Sequence, residues 1–161
     1  MSAFTVFDKL NLKDHSEIVV LNAPESFDTE LRQLHGIDIR RTLASDRSVS
    51  FALAFVQKQT ELDSVATALT QRADGDAILW FAYPKGTSKR YTCELNRDGG
   101  WRALGAAGFE GVRMIAIDED WSAVRFRRAA FIKSMKRDPA RALSADGRKR
   151  AAERRRTSSK R

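Results

Sequence analysis

Apolar residues along this chain follow two rhythms. Unbroken blocks occur in EIVVLN (17–22), SVSFALAFV (48–56) and AILWFAY (77–83). Blocks of this length, rich in β-branched and aromatic residues, read as strands, and SVSFALAFV and AILWFAY as strands covered on both faces. Between them the apolar positions recur at helical spacing. APESFDTELRQL sets Phe27, Leu31 and Leu34 at i, i+4 and i+7, with Pro24 and Glu25 in a first turn that Asn22 can cap. Thr60 can cap a helix with Leu62, Val65, Ala66 and Leu69 on one stripe, and the break ADGD then leads into the third block. IDIRRTL (37–43), entered through Gly36, predicts a further strand, as do GVRMIAID (111–118) and AVRFRR (123–128). Asn96 can cap a short helix carrying Trp101 and Leu104 and closed at Gly108.

Strands alternating with helices predict a three-layer, Rossmann-like α/β fold with a mainly parallel sheet, because parallel neighbours need crossovers. The last two strands are joined only by DEDWS, too short a link for a crossover, so they are expected as an antiparallel hairpin at one edge. No helix separates the strands flanking 42–50. An irregular crossover is the preferred reading there, because FALAFV has the character of a central strand; antiparallel pairing is the alternative.

Charge divides the chain. The net charge is +8, yet residues 134–161 alone hold 11 Lys/Arg against 3 Asp/Glu, which leaves residues 1–133 neutral. The expectation is a single α/β domain over 1–133 and a basic tail over 134–161. The tail has few large apolar residues and no apolar face to dock, so it is expected to be disordered by itself. No internal repeat is present. The N-terminus lacks the pattern of a signal peptide, and the longest apolar run is far short of the ~20 residues that span a bilayer. One cysteine, Cys93, precludes an internal disulfide. Together these suggest a cytoplasmic protein with no membrane partner. Cys93 with His15 and His35 cannot supply a zinc ligand set, so no metal is expected.

In open α/β sheets ligands bind beyond the carboxyl ends of the strands. By that rule WFAYPKGTSKR (80–90) opens at the ligand edge. Lys58, Lys85, Thr87, Ser88 and Arg97 are the candidate anion donors there. Gly86 permits close backbone approach, and Asp118 and Trp121 would form the pocket wall. A phosphate, nucleotide or carboxylate would suit such a set. PKGTS reads equally as a plain turn, the commoner use of such residues. It is not a Walker A loop, since no cradle glycine precedes K-G-T-S. Asp118, Glu119 and Asp120 read first as ordinary turn residues, with Mg²⁺ binding the weaker alternative. No G-x-S-x-G elbow and no G-x-G-x-x-G fingerprint occurs, and Cys93 lacks a placed histidine. Neither a catalytic constellation nor a cofactor motif is therefore identified, and the reading leans away from an enzyme. In the tail, Arg148, Lys149, Arg150, Arg154, Arg155 and Arg156 can neutralise nucleic-acid phosphates without sequence preference; a solvated tail aiding solubility is the alternative. A pure interaction module without ligand is a third reading. Oligomeric state is not readable.

Taken jointly, EIVVLNAPESF, LWFAYPKGTSK, NRDGGW and GVRMIAIDEDWSAVRFR resemble an uncharacterised bacterial family of unknown function across roughly residues 5–133. The shared order is a strand, an LNAP-type turn, a YPK-type loop, an NRD-W helix and a D-x-x-W-S-x-x-[RK]-[FL] hairpin. The resemblance implies a common fold and no established activity. The basic tail looks like an extension beyond the shared region.

Overall fold

A six-stranded sheet stands between two helical layers in a computed structural model that describes residues 5–43, 47–95 and 100–132. The elements in chain order are α1 (Val6–Lys9), β1 (Glu17–Leu21), a 3-10 turn (Glu25–Phe27) running into α2 (Asp28–Arg32), and β2 (Asp38–Arg40). Then come β3 (Val49–Phe55), α3 (Gln59–Arg72), β4 (Ala73–Pro84), α4 (Arg102–Ala106), β5 (Phe109–Ala116) and β6 (Trp121–Arg128). The order across the sheet is β2-β1-β3-β4-β6-β5. The first four run parallel, and β6 is antiparallel to both β4 and β5. The expected mixed sheet with an antiparallel edge hairpin is what forms. Its second strand, β6, joins the body, and β5 is the free edge.

Alternation along the strands divides the core. Val19, Leu21, Ala52, Ala54, Leu79, Phe81 and Phe126 face the layer of α3 and α4, where Leu62, Ala66, Leu69 and Leu104 meet them. Ile18, Val20, Phe51, Leu53, Phe55, Trp80 and Ala82 face the opposite layer, packed by Phe7 and Leu10 near α1 and by Phe27 and Leu31 near α2. Burial on both faces explains why the blocks in β1, β3 and β4 are unbroken rather than alternating. The indole of Trp80 is fully buried and donates to the Leu10 carbonyl at 2.8 Å, tying α1 to the centre of the sheet. Thr5 N–H donates to the Asp8 carboxylate at 2.7 Å and helps start that single-turn helix, which the apolar pattern alone did not suggest.

Three local expectations need correction. The helix after β3 begins at Gln59 with Lys58 as its cap residue, and Thr60 lies inside the first turn. No side chain among the described residues caps it; Glu61 reaches back to accept from Gln57 N–H, one residue ahead of Lys58, at 2.8 Å. The turn after β1 is not capped by Asn22, which takes a left-handed φ of 58°; Pro24 precedes the 3-10 turn. ADGD is not a break before the strand but an excursion within β4, where five steps from Ala73 to Ile78 match two on β3 from Val49 to Phe51. Asn96, the expected cap before α4, lies outside the described residues. β2 and β3 flank β1, so the chain crosses over between them as preferred, with residues 44–46 outside the described residues.

Candidate functional site

Parallel β1, β3 and β4 deliver their carboxyl ends to one edge of the sheet, and the connecting segments collect there. Lys58 lies three residues past Phe55, and Lys85 three past its partner Ala82, so both cations follow the carboxyl ends of adjacent parallel strands. Lys58 is exposed and caps α3, whose first-turn N–H groups carry the positive end of the helix dipole. A backbone bridge joins Lys58 to Glu94, with Glu94 N–H donating to the Gln57 carbonyl at 2.7 Å. Neither Lys58 nor Lys85 enters an ion pair among the described residues.

The YPKGTSK stretch is a hydrogen-bonded turn. Ser88 N–H donates to the Lys85 carbonyl at 3.0 Å, and Lys85 N–H donates to the Asp120 carbonyl at 2.8 Å. The Ser88 hydroxyl donates to Asp120 Oδ1 at 2.8 Å and accepts from the backbone N–H groups of Arg90 and Tyr91. Its single proton is therefore engaged within the protein. Thr87 is exposed at the turn's tip, beside Gly86, where an added Cβ would meet open space. Asp118 turns its carboxylate back on the chain, accepting from Asp120 N–H at 2.8 Å and from Trp121 N–H at 3.0 Å. That Asx arrangement accounts for the first carboxylate of DEDW, and the Ser88 contact accounts for the third. Among the described residues no cluster of ligating side chains suited to a metal ion forms.

Trp121, expected on a pocket wall, is only 3% exposed. It lies beneath the loops rather than at their rim, with Phe55 at 5.0 Å and Tyr91 at 4.9 Å between ring centroids. Its Nε1 is buried without a hydrogen-bond partner among the described residues. Arg97 lies outside the described residues, as do Arg148, Lys149, Arg150, Arg154, Arg155 and Arg156. Lys58, Lys85, Thr87, Ser88, Asp118 and Trp121 thus all lie on segments at the carboxyl end of the parallel strands, and Asp120 ties the Lys85–Ser88 turn to the start of β6. The sequence reads Asp120 as a turn residue beside Asp118 and Glu119, with Mg²⁺ binding the weaker alternative; it does not anticipate the contact with Ser88.

Two nearby groups complete the surroundings. Burial pushes the Tyr83 hydroxyl above its ordinary pKa, and the neighbouring Cys93 adds to that shift. The same hydroxyl lies 3.5 Å from the Met114 sulfur. Cys93 is exposed. A cavity of about 430 Å³ opens at the other end of the strands, lined by Ser16, Glu17, Arg47, Ser48, Ser50 and Asp74 among others. Sequence reasoning did not anticipate it. There Glu17 accepts from Arg47 at 2.8 Å and also pairs with Arg40.

No family model matches the chain, and no curated protein matches it. Solved structures do. The N-methyltransferase NodS from Bradyrhizobium japonicum WM9 superposes with a TM-score of 0.50 at 12% identity, over 76% of this chain and 92% of that one. A SAM-dependent methyltransferase from Aquifex aeolicus gives 0.50 at 11% identity, over 76% and 87%. At such identities the likeness is one of fold: a Rossmann-like α/β sheet. No described helix is long and apolar enough to cross a membrane.

Proposed function

We propose that this protein binds a small ligand bearing a phosphate or carboxylate group at the carboxyl edge of its sheet, with Lys58 and Lys85 as the cationic contacts. The observation that carries this is the pair of lysines that follow the carboxyl ends of adjacent parallel strands, neither neutralised by an ion pair among the described residues. Thr87 adds a hydroxyl at the rim. Ser88 and Asp118 act as scaffolding, since their polar atoms already serve the turns. Arg97 is a further candidate donor. The fold likeness supports the position, because sheets of this class hold ligands beyond their strand carboxyl ends.

The fold relatives are methyltransferases, one of them described as SAM dependent. The turn after β1 here is Asn22-Ala23-Pro24-Glu25, with no glycine for close approach and with a proline lacking an N–H. The reading therefore stops at ligand binding and assigns no transfer reaction. A thermal-shift series with nucleotides, inorganic phosphate and organic acids tests it. At least one ligand is expected to raise the wild-type melting temperature, and Lys85→Ala to lose most of that rise. Identical responses of the two proteins to every anion would sink the proposal.

A second reading rests on charge segregation: the basic tail associates with nucleic acid, outside a neutral domain. Both readings can hold together, because they use different parts of the chain.

A further inference from the structure

The hairpin edge carries a feature that the ligand edge does not use. Between Gly111, opposite Phe126, and Arg113, opposite Arg125, the ladder slips by one residue, so Val112 has no cross-strand partner. A bulge of this kind re-aims the side chains that follow it. Here it sets Arg113 directly across from Arg125, on the face of the sheet that also bears Trp80, the partner of Arg125 on β4. Like charges directly opposite in a ladder are destabilising unless something stands between them.

The neighbouring cations are already answered. Arg127 makes two contacts with the Asp76 carboxylate, at 2.7 and 2.6 Å. Arg128 donates to the Gly75 and Ala73 carbonyls and lies over the Phe109 ring. Arg113 and Arg125 have no such partner among the described residues. Neither forms an ion pair among the described residues, and Arg125 Nε is buried with no acceptor. A buried N–H of a charged group with no acceptor is costly.

We propose that Arg113 and Arg125 form a clamp for a phosphate group on the β5–β6 ribbon, the bulge at Val112 holding the two guanidinium groups on opposite sides of one oxyanion. Planar guanidinium forks match phosphate oxygens in pairs, and one phosphate would remove both the mutual repulsion and the unmet Nε–H. Burial, then the charges of Arg127 and Arg113, push the Arg125 pKa below its ordinary value, with Asp76 opposing; an added anion offsets the two like charges. The clamp lies along the middle of β6, several residues from the Trp121 end at the ligand edge, and it does not depend on the lysine site.

The phosphate could belong to a small phosphorylated molecule or to a nucleic-acid backbone, and the test separates these. Full-length wild type, Arg113→Gln, Arg125→Gln and Lys85→Ala are titrated with inorganic phosphate, pyrophosphate and a short single-stranded oligonucleotide. Binding is followed by calorimetry and by the Arg125 Nε–H resonance. Wild type and Lys85→Ala should both shift that resonance, and Arg113→Gln should bind about tenfold more weakly. In anion-free buffer Arg113→Gln should melt no lower than wild type, because it removes a repulsion. A response to pyrophosphate or phosphate identifies a small phosphorylated ligand. A response to the oligonucleotide alone identifies a backbone. Unchanged affinity in both arginine variants, or no wild-type shift with any of the three, overturns the clamp.

Discussion

Ser88 shows how a residue type can point correctly to a place and still serve another purpose. Its hydroxyl stood among the candidate donors, yet the proton goes to Asp120 and the lone pairs to two backbone N–H groups. A short polar side chain next to free backbone amides binds them before it binds a ligand. Lys85, on a longer stem, has no ion-pair partner among the described residues, so there the cation is not engaged as the hydroxyl is. His15 illustrates the same dependence on surroundings. Its ring lies 5.3 Å from that of Phe51, and Lys13 N–H donates to Nδ1. Burial lowers its pKa from the ordinary value, with Asp14 opposing. Because the folded state binds the proton less readily than the unfolded chain, this contribution to stability is complete above about pH 6.5 and is lost as pH falls through the lower folded value. Denaturation midpoints at about pH 7.5 and about pH 5.5 should differ less in His15→Asn than in wild type. An equal difference in both would show that His15 contributes nothing to the pH dependence.

Among the elements, the apolar blocks of β1, β3 and β4 were legible because burial on both faces leaves no polar position to interrupt them. The irregularities were not legible. The excursion Ala73–Asp76 is held by Arg127 and Arg128, two residues some fifty positions away. No local pattern encodes that contact. The bulge at Val112 is equally silent in sequence, since it appears only as a slip against β6. Gly108 is a case where local chemistry was readable: it was expected to close α4, and it takes φ 88° just past that helix. An added Cβ there would meet nothing within 4 Å, so the cost of substitution is backbone strain alone. Gly108→Ala should lower stability by about 1–2 kcal/mol in urea denaturation. Gly86→Ala, at a glycine without positive φ and also in open space, should change it little. Similar losses at both positions would contradict the account.

Over the whole molecule, charge is distributed by region rather than by surface. Residues 1–133 are neutral in sum, and the 28 residues 134–161 carry all of the net charge of +8. If the tail associates with nucleic acid, the full chain should bind duplex DNA or RNA with an affinity that falls steeply with salt, and deletion of 134–161 should abolish it while the domain's melting temperature holds. Unchanged affinity after the deletion would remove the tail from any such role. A partial loss confined to oligonucleotides, together with sensitivity to Arg113→Gln, would instead place part of the contact on the hairpin.

By itself the sequence determined the kind of fold, and from it the edge where the proposed ligand site lies. Strand and helix periodicities are local, and the rule linking parallel strands to their carboxyl ends needs only the order of elements. It also determined the charge division, which is a property of composition. Only the tertiary structure decided which cations remain unneutralised. Whether Lys85 or Arg125 meets a carboxylate depends on loops and strands distant along the chain, as Ser88 meets Asp120 and Arg127 meets Asp76. Those pairings are long-range contacts, and no spacing between neighbouring residues contains them.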